Sequence, residues 1–306
     1  MPIKFVFVIS PSTHFLDLAG PDQVIHEAIY FKADFQLEYC AYSEKTYTSS
    51  GLHFAPLKSY KSVKIHPGDY ILLPGLGLDT NSIVTPGQVP PSFYTWLNQA
   101  YDRGVNICSI CTGAFLLAPS GLLNGKTCTT HWKYTQRLQR LFPRIHVEEN
   151  ILFTDQDRIL TSAGIAAGID MALHILEKET DAVMAYKVAK EIVVYIRRSG
   201  NATQKSVYLS YRNHMHYGIH QAQDWLVDNL NKKVNKEQLA RLAHMSTRNF
   251  TRVFKNETGI TMSEYIHQLR KEKVSHLLKN PDLTRYQIAK QVGLDSVRHL
   301  SRIMQP

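Results

Sequence analysis

A chain of 306 residues, 44% hydrophobic and 20% charged, is too long for one ordinary core and too apolar for a disordered polyelectrolyte, so two folded domains are expected. Its formal net charge of +9 sits wholly in the last third: residues 1–200 hold 18 basic and 18 acidic side chains, and residues 201–306 hold 17 and 8. A neutral body with a cationic tail points to a polyanion, most often nucleic acid, as the tail's partner.

The opening run Met1–Ser10 is apolar for only a few residues before Pro11, and no small-residue cleavage site follows. It reads as a first buried strand rather than an export signal or a membrane span. Four cysteines without an export signal imply free thiols, a reducing compartment and a cytoplasmic location.

In chain order, short apolar runs at Ile3–Ile9, Phe35–Ala41, Tyr70–Leu73, Val105–Cys108 and Ile159–Ser162 suit buried parallel strands. Helical spacing occupies Asp22–Tyr30, Ser92–Asp102, Thr112–Ala118, about Gly168–Leu176 and roughly Asp181–Tyr195. This alternation predicts an α/β sandwich with helices on both faces for residues 1–196. Asp155 and Asp157 read as a hairpin turn rather than a cation loop. The polar break from Arg197 to Gln204, with the tract to Gly218, reads as a linker (197–218). Its Tyr208, Tyr211 and Tyr217 with His214, His216 and His220 read as packing residues, with a metal site as the alternative. Residues 219–306 show helical spacing only, so the tail domain is all-α.

Ser109-Ile110-Cys111-Thr112-Gly113 falls between a predicted strand and a predicted helix. A thiol on that turn faces a helix N-terminus, whose dipole favours thiolate. With His131 from Thr129-Thr130-His131-Trp132 and Asp17 from Phe15-Leu16-Asp17-Leu18-Ala19-Gly20-Pro21, it can form a nucleophile, base and acid. The N–H groups of Gly75 and Thr112 can serve as oxyanion donors. A rival spacing, Cys108-x-x-Cys111 with Cys128-x-x-His131, matches a zinc ribbon. However, Cys108 ends a strand and Cys111 starts a helix, so their side chains should diverge. A redox pair from Cys108 and Cys111 lacks the rest of a thioredoxin-like pattern. Cys40 and Cys128 read as small core residues. No metal or cofactor is expected.

These segments, with Leu73-Pro74-Gly75, resemble the PfpI-like branch of the class I glutamine amidotransferase-like fold, over about residues 3–195. Within it they look most like isonitrile hydratases and the GlxA-type regulators. The resemblance implies that Cys111 matches the family nucleophile, Asp17 its acidic partner, His131 the histidine beside the elbow, and Thr112 and Gly75 the backbone donors. Asp17 stands where the protease-type members carry Glu, and Leu76 where a second glycine often follows Pro-Gly.

In the tail, Ser246-Thr247-Arg248-Asn249-Phe250-Thr251-Arg252-Val253-Phe254 recurs as Ser296-Val297-Arg298-His299-Leu300-Ser301-Arg302-Ile303-Met304. Each serine can cap a helix, and the apolar positions make one inward face. Thr247, Arg248, Thr251 and Arg252 are left outward in the first copy, and Val297, Arg298, Ser301 and Arg302 in the second. Each copy follows a short helix, capped by Asn235 with Gln238 or by Thr284 with Gln287, and a turn at His244-Met245 or Gly293. This is the helix-turn-helix plan, whose second helix enters the DNA major groove and whose arginines can bond guanine. Between the copies, Ser263–Leu278 spaces its apolar residues as one helix about 24 Å long, fit to place two recognition helices ~34 Å apart.

The duplicated arrangement resembles the AraC/XylS family of bacterial transcription regulators over about residues 219–306. The run Phe250 to Gly259 with Tyr265 carries its first motif. The second motif ends at Ile303-Met304-Gln305-Pro306, shorter than the family pattern. Together the resemblances imply a cytoplasmic, DNA-binding regulator whose N-terminal domain senses a small-molecule effector and forms a homodimer. Two alternatives remain open: a cysteine-dependent hydratase or amidase, and an oxidation sensor in which Cys111 forms a sulfenic acid.

Overall fold

The computed structural model describes residues 2–77, 89–194, 198–200, 207, 211–212, 214–278, 280, 282–294 and 296–303. It divides into two compact units, Met1–Gln204 and Lys205–Pro306. Of the expected linker, Arg197, Asn201–Gln204 and Tyr208 lie outside the described residues, as do Tyr195 and Met304.

In the first unit the apolar runs become strands. They are β1 (Ile3–Ile9), β2 (Phe35–Ala41), β3 (Lys58–Ser59), β4 (Tyr70–Leu73), β5 (Asn106–Ile110), β6 (Thr127–Cys128), β7 (His146–Val147), β8 (Phe153–Gln156) and β9 (Ile159–Ser162). Seven of them form one sheet in the order β3-β2-β1-β4-β5-β9-β8, and β6 pairs with β7. Every pairing in the large sheet is parallel except the β8–β9 hairpin, whose turn places Asp157 and Arg158 at positive φ.

Side chains alternate across the sheet. Phe5, Phe7, Ile9, Tyr70, Leu72, Cys108 and Ile110 face one layer, and Val6, Val8, Ile71, Leu73 and Ile107 face the other. The first layer is α1 (Phe15–Tyr30), α5 (Ala166–Glu179) and α6 (Ala182–Glu191). The second is α2 (Pro91–Asp102), α3 (Gly113–Leu117) and α4 (Thr135–Leu141). Because helices cover both faces, the strands read as continuous apolar runs.

One difference from the sequence expectation bears on the site. Helix α1 begins at Phe15, not at Asp22, and runs through Gly20-Pro21. Proline deletes one backbone bond, but that turn is where α5 packs. A Cβ on Gly20 would sit 2.9 Å from Ile169 Cγ1, and Pro21 lies against Gly168. Close packing outweighs the lost bond, and the early start places Asp17, itself buried, in the first turn.

The described residues of the second unit include the helices α7 (Tyr217–Asp228), α8 (Lys236–Leu242), α9 (Thr247–Thr258), α10 (Met262–Leu277), α11 (Arg285–Gln291) and α12 (Val297–Ile303). Two apolar clusters lie along α10. Tyr265, Ile266 and Leu269 join the first, with Phe250 and Phe254; Val274 joins the second, with Ile288, Ala289, Val292 and Leu300. The central helix is therefore the shared wall of two small cores.

Candidate functional site

Cys111 occupies the sharp turn between β5 and α3, with φ of +56°. Its N–H donates to the Ser162 carbonyl at 2.9 Å, which ties the turn to the end of β9. The position follows from topology. The sheet grows outward in both directions from the β1–β4 pair, and the loops at the carboxyl ends of the central strands converge there. Asp17 follows β1, Gly75 follows β4, and Gly164 follows β9.

Close approach demands glycine at three of these loops. A Cβ on Gly75 would lie 2.3 Å from Asp17 Oδ2 and 2.9 Å from Cys111 Cβ. One on Gly113 would lie 2.1 Å from the Leu73 carbonyl oxygen, and one on Gly164, whose φ is +100°, would lie 2.6 Å from Cys111 Sγ. Gly113 and Gly164 were not singled out from sequence. The available signal was a glycine within three residues of the end of a buried strand.

The thiol differs from the sequence expectation. Burial, followed by the Asp17 carboxylate beside it, pushes Cys111 above the ordinary thiol range. The Thr112 N–H and hydroxyl act in the opposite sense and are outweighed. Helix α3 is only five residues long, so its dipole is weak. Cys111 is 2% exposed. Burial and the neighbouring carboxylate thus favour the thiol over the thiolate, against the helix-dipole expectation.

Asp17 is fully buried, and its Oδ1 accepts the Ile165 N–H at 2.5 Å. Ile165 itself holds φ +50° and ψ −114°, an unusual conformation for a β-branched residue. Asp17 Oδ2 lies 3.5 Å from His14 Nδ1. His14, Asp17 and Cys111 each offer a donor atom within 4.8 Å of the others. His14 was not named from sequence, although it lies three residues before Asp17. His131 lies outside that group, half-buried on the loop after β6, where its Nδ1 accepts the Lys133 N–H at 3.3 Å. Burial lowers its pKa, His14 and Lys133 lower it further, and Asp17 opposes them.

The Thr112 hydroxyl accepts the Leu76 N–H at 2.8 Å and donates to the Leu76 carbonyl at 2.7 Å. Leu76 thus has its backbone polar groups engaged in holding the elbow. Thr130 Oγ1 donates to the Cys111 carbonyl at 2.7 Å. Cys108 packs in the α1/α5 layer and Cys128 in the opposite one, so the four positions of the zinc-ribbon spacing straddle the sheet.

In the second unit the repeated motif is repeated in geometry. Ser246 Oγ accepts the Asn249 N–H and Ser296 Oγ the His299 N–H, each at 3.4 Å. Thr251 Oγ1 donates to the Thr247 carbonyl, and Ser301 Oγ to the Val297 carbonyl. Thr284 and Gln287 form a full capping box, while Asn235 accepts from Glu237 and Gln238. Both turns use a left-handed residue, His244 at φ +55° and Gly293 at +68°. Both close with a matching bond, Met245 N–H to the Ala240 carbonyl and Leu294 N–H to the Ala289 carbonyl. Ala240 and Ala289 are each 1% exposed, as expected where two helices cross closely.

Arg248, Thr251, Arg252, Arg298, Ser301 and Arg302 are exposed and Thr247 is half-buried. Arg252 Nη2 donates to Asn249 Oδ1 at 2.9 Å on its own helix. Among the described residues none of the four arginines is held in an ion pair. Also among those residues, no helix is long and apolar enough to cross a membrane.

Residues 4–178, more than half of the chain, match the DJ-1/PfpI family, and residues 239–305 match a helix-turn-helix domain. The chain belongs to the DJ-1/PfpI family and carries a helix-turn-helix domain of the AraC type behind it. It is 27% identical over 209 residues to the HTH-type transcriptional regulator GbdR of Pseudomonas aeruginosa, covering 68% of this chain and 56% of that protein. The chain thus spans little more than half of that regulator's length. It is 30% identical over 179 residues to the isonitrile hydratase of Pseudomonas putida, covering 58% of this chain and 72% of that protein. The crystal structure of an AraC family transcriptional regulator from Pseudomonas putida superposes with a TM-score of 0.52 at 18% identity, over 63% of this chain and all of that one. That likeness speaks for the fold of the first unit.

Proposed function

We propose that this protein is a sequence-specific DNA-binding transcriptional regulator, whose first unit senses a small-molecule effector and pairs with a second copy in the cytoplasm. One observation carries the proposal. Two copies of the same capped helix present Arg248 and Arg252, and Arg298 and Arg302, exposed and outside any described ion pair, on the part of the chain that bears all of its net charge. An unpaired guanidinium on an exposed helix face retains the N–H fork that bonds guanine O6 and N7. Thr247, Thr251 and Ser301 keep acceptor lone pairs for base or phosphate donors. The second helix, though short, repeats the bonds of the first.

The elbow fits the sensing role. Cys111, Asp17 and His131, with Gly75 and Thr112, would line an effector site, and His14 joins them. A covered thiol with a raised pKa suits a ligand contact better than a nucleophile poised at neutral pH. The hydratase-like reading draws its support from the isonitrile hydratase relative. Turnover of isonitriles or amides that disappears in Cys111→Ala would establish that reading instead.

The DNA-reading half is tested by selecting a binding site from random duplexes and footprinting it with hydroxyl radicals. Two protected patches on one face, about 10 bp apart, are expected. A single patch, or no enrichment of any sequence, counts against a paired reader.

A further inference from the structure

The end of the first unit is pinned to the elbow through one short helix turn. Asp170 lies on α5, one turn after the helix begins, and is 5% exposed. Its Oδ1 accepts the Arg198 backbone N–H at 3.0 Å, and its Oδ2 accepts Arg198 Nε at 2.9 Å and Nη2 at 2.6 Å. A buried carboxylate taking three bonds from one residue fixes that residue's backbone and side chain together. Two residues on, the Gly200 carbonyl accepts the Leu152 N–H at 2.7 Å, and a Cβ on Gly200 would lie 2.5 Å from the Phe153 carbonyl oxygen. Residues 198–200 are therefore strapped down just before the chain passes to the second unit at Lys205.

The other end of the same turn is the cover of the elbow. Gly164 lies against Cys111 Sγ, and the Ile165 N–H is bonded to Asp17. The Ala167 N–H donates to the Gly164 carbonyl, and the Gly168 N–H to the Ile165 carbonyl. From Gly164 to Asp170 the chain is thus one short bonded piece, in which Ala167, Gly168 and Asp170 are buried while Ile165 and Ala166 are exposed. A Cβ on Gly168 would lie 3.0 Å from Ile110 Cγ2. Such a piece transmits displacement because packed interiors have few alternative arrangements.

We infer that Asp170 and Arg198 are a positioning pair, through which the Cys111–Asp17 site and the segment leading to the DNA-binding unit hold each other in place. An occupant of the site has to displace Gly164 or Ile165 to reach the thiol. That displacement shifts the first turn of α5 and loosens the Arg198 strap. Conversely, releasing the strap loosens the cover over Cys111. This rests on Cys111 being the centre of an effector site, and it is read without DNA, so failure of the DNA-binding proposal does not decide it.

The test is the alkylation rate of all four free, buried cysteines of the full chain by N-ethylmaleimide, resolved residue by residue by mass spectrometry. Arg198→Gln and Asp170→Asn should each speed labelling of Cys111 by about tenfold while leaving Cys40, Cys108 and Cys128 within about twofold of the parent. In the parent, alkylating Cys111 should in turn raise hydrogen exchange in the peptide spanning residues 198–200. An unchanged Cys111 rate overturns the inference, as does a parallel rise at all four cysteines, which would mean general loosening. Unaltered exchange at 198–200 after alkylation overturns it as well.

Discussion

At Cys111 the backbone and its neighbours impose one state. The positive φ aims the thiol into the convergence of three loops, and Gly164 closes over it. Gly164→Ala should therefore cost about 2–3 kcal/mol, from an unfavourable φ for an L residue together with contact on Sγ, measured as a lowered urea midpoint. The raised thiol pKa also has a sign for stability. The fold favours the protonated form, so this contribution is complete below the ordinary thiol pKa and is lost as pH rises through the folded value. Alkylation of Cys111 should rise with pH along a curve displaced upward from that of a free thiol; a midpoint below the free-thiol value would contradict the burial argument. The elbow was legible because a thiol on a strand-to-helix turn is a local pattern, and Asp17 was named beside it through the family resemblance. His14, Gly164 and Ile165 were not, because nothing local shows which distant loop will press against a given side chain.

Each helix-turn-helix copy turns on a left-handed residue, glycine in the second and histidine in the first. An L side chain in that conformation costs about 1–2 kcal/mol, partly offset by the greater unfolded freedom of glycine. His244→Gly should therefore stabilise the chain by about 0.5–1 kcal/mol, seen as a higher melting temperature. The same turn in the second copy has the opposite expectation. A Cβ on Gly293 would lie 2.6 Å from the Leu230 carbonyl oxygen, where the second turn abuts the end of α7. Gly293→Ala should cost about 2 kcal/mol and weaken DNA binding by disturbing the second half. A lowered melting temperature in His244→Gly would contradict strain at the first turn. Helical spacing and serine caps made these elements readable from sequence, since both are short-range. The early start of α1 was not readable: Gly20-Pro21 carries a local stop signal that α5 overrides by packing on it. The two-residue strands β3, β6 and β7 are too short to carry any periodicity.

Across the whole molecule, charge is segregated by unit, and this was plain from sequence because it is a sum that no fold can alter. The fold class was equally plain, since a parallel sheet buried on both faces leaves uninterrupted apolar runs. A reader with its cations on DNA phosphates and bases should lose affinity steeply with salt, and each arginine removed from a phosphate should lower the slope of log K against log salt by about one. Affinity for a selected duplex, compared at one fixed salt concentration between the parent chain and Arg248→Ala with Arg252→Ala, decides whether these arginines read DNA. Each bidentate guanine contact carries about 1–3 kcal/mol of discrimination, so the double substitution should weaken binding by at least about tenfold and flatten the preference between selected and random sequence. Unchanged affinity for the selected duplex, with preference intact, would mean that Arg248 and Arg252 do not read DNA.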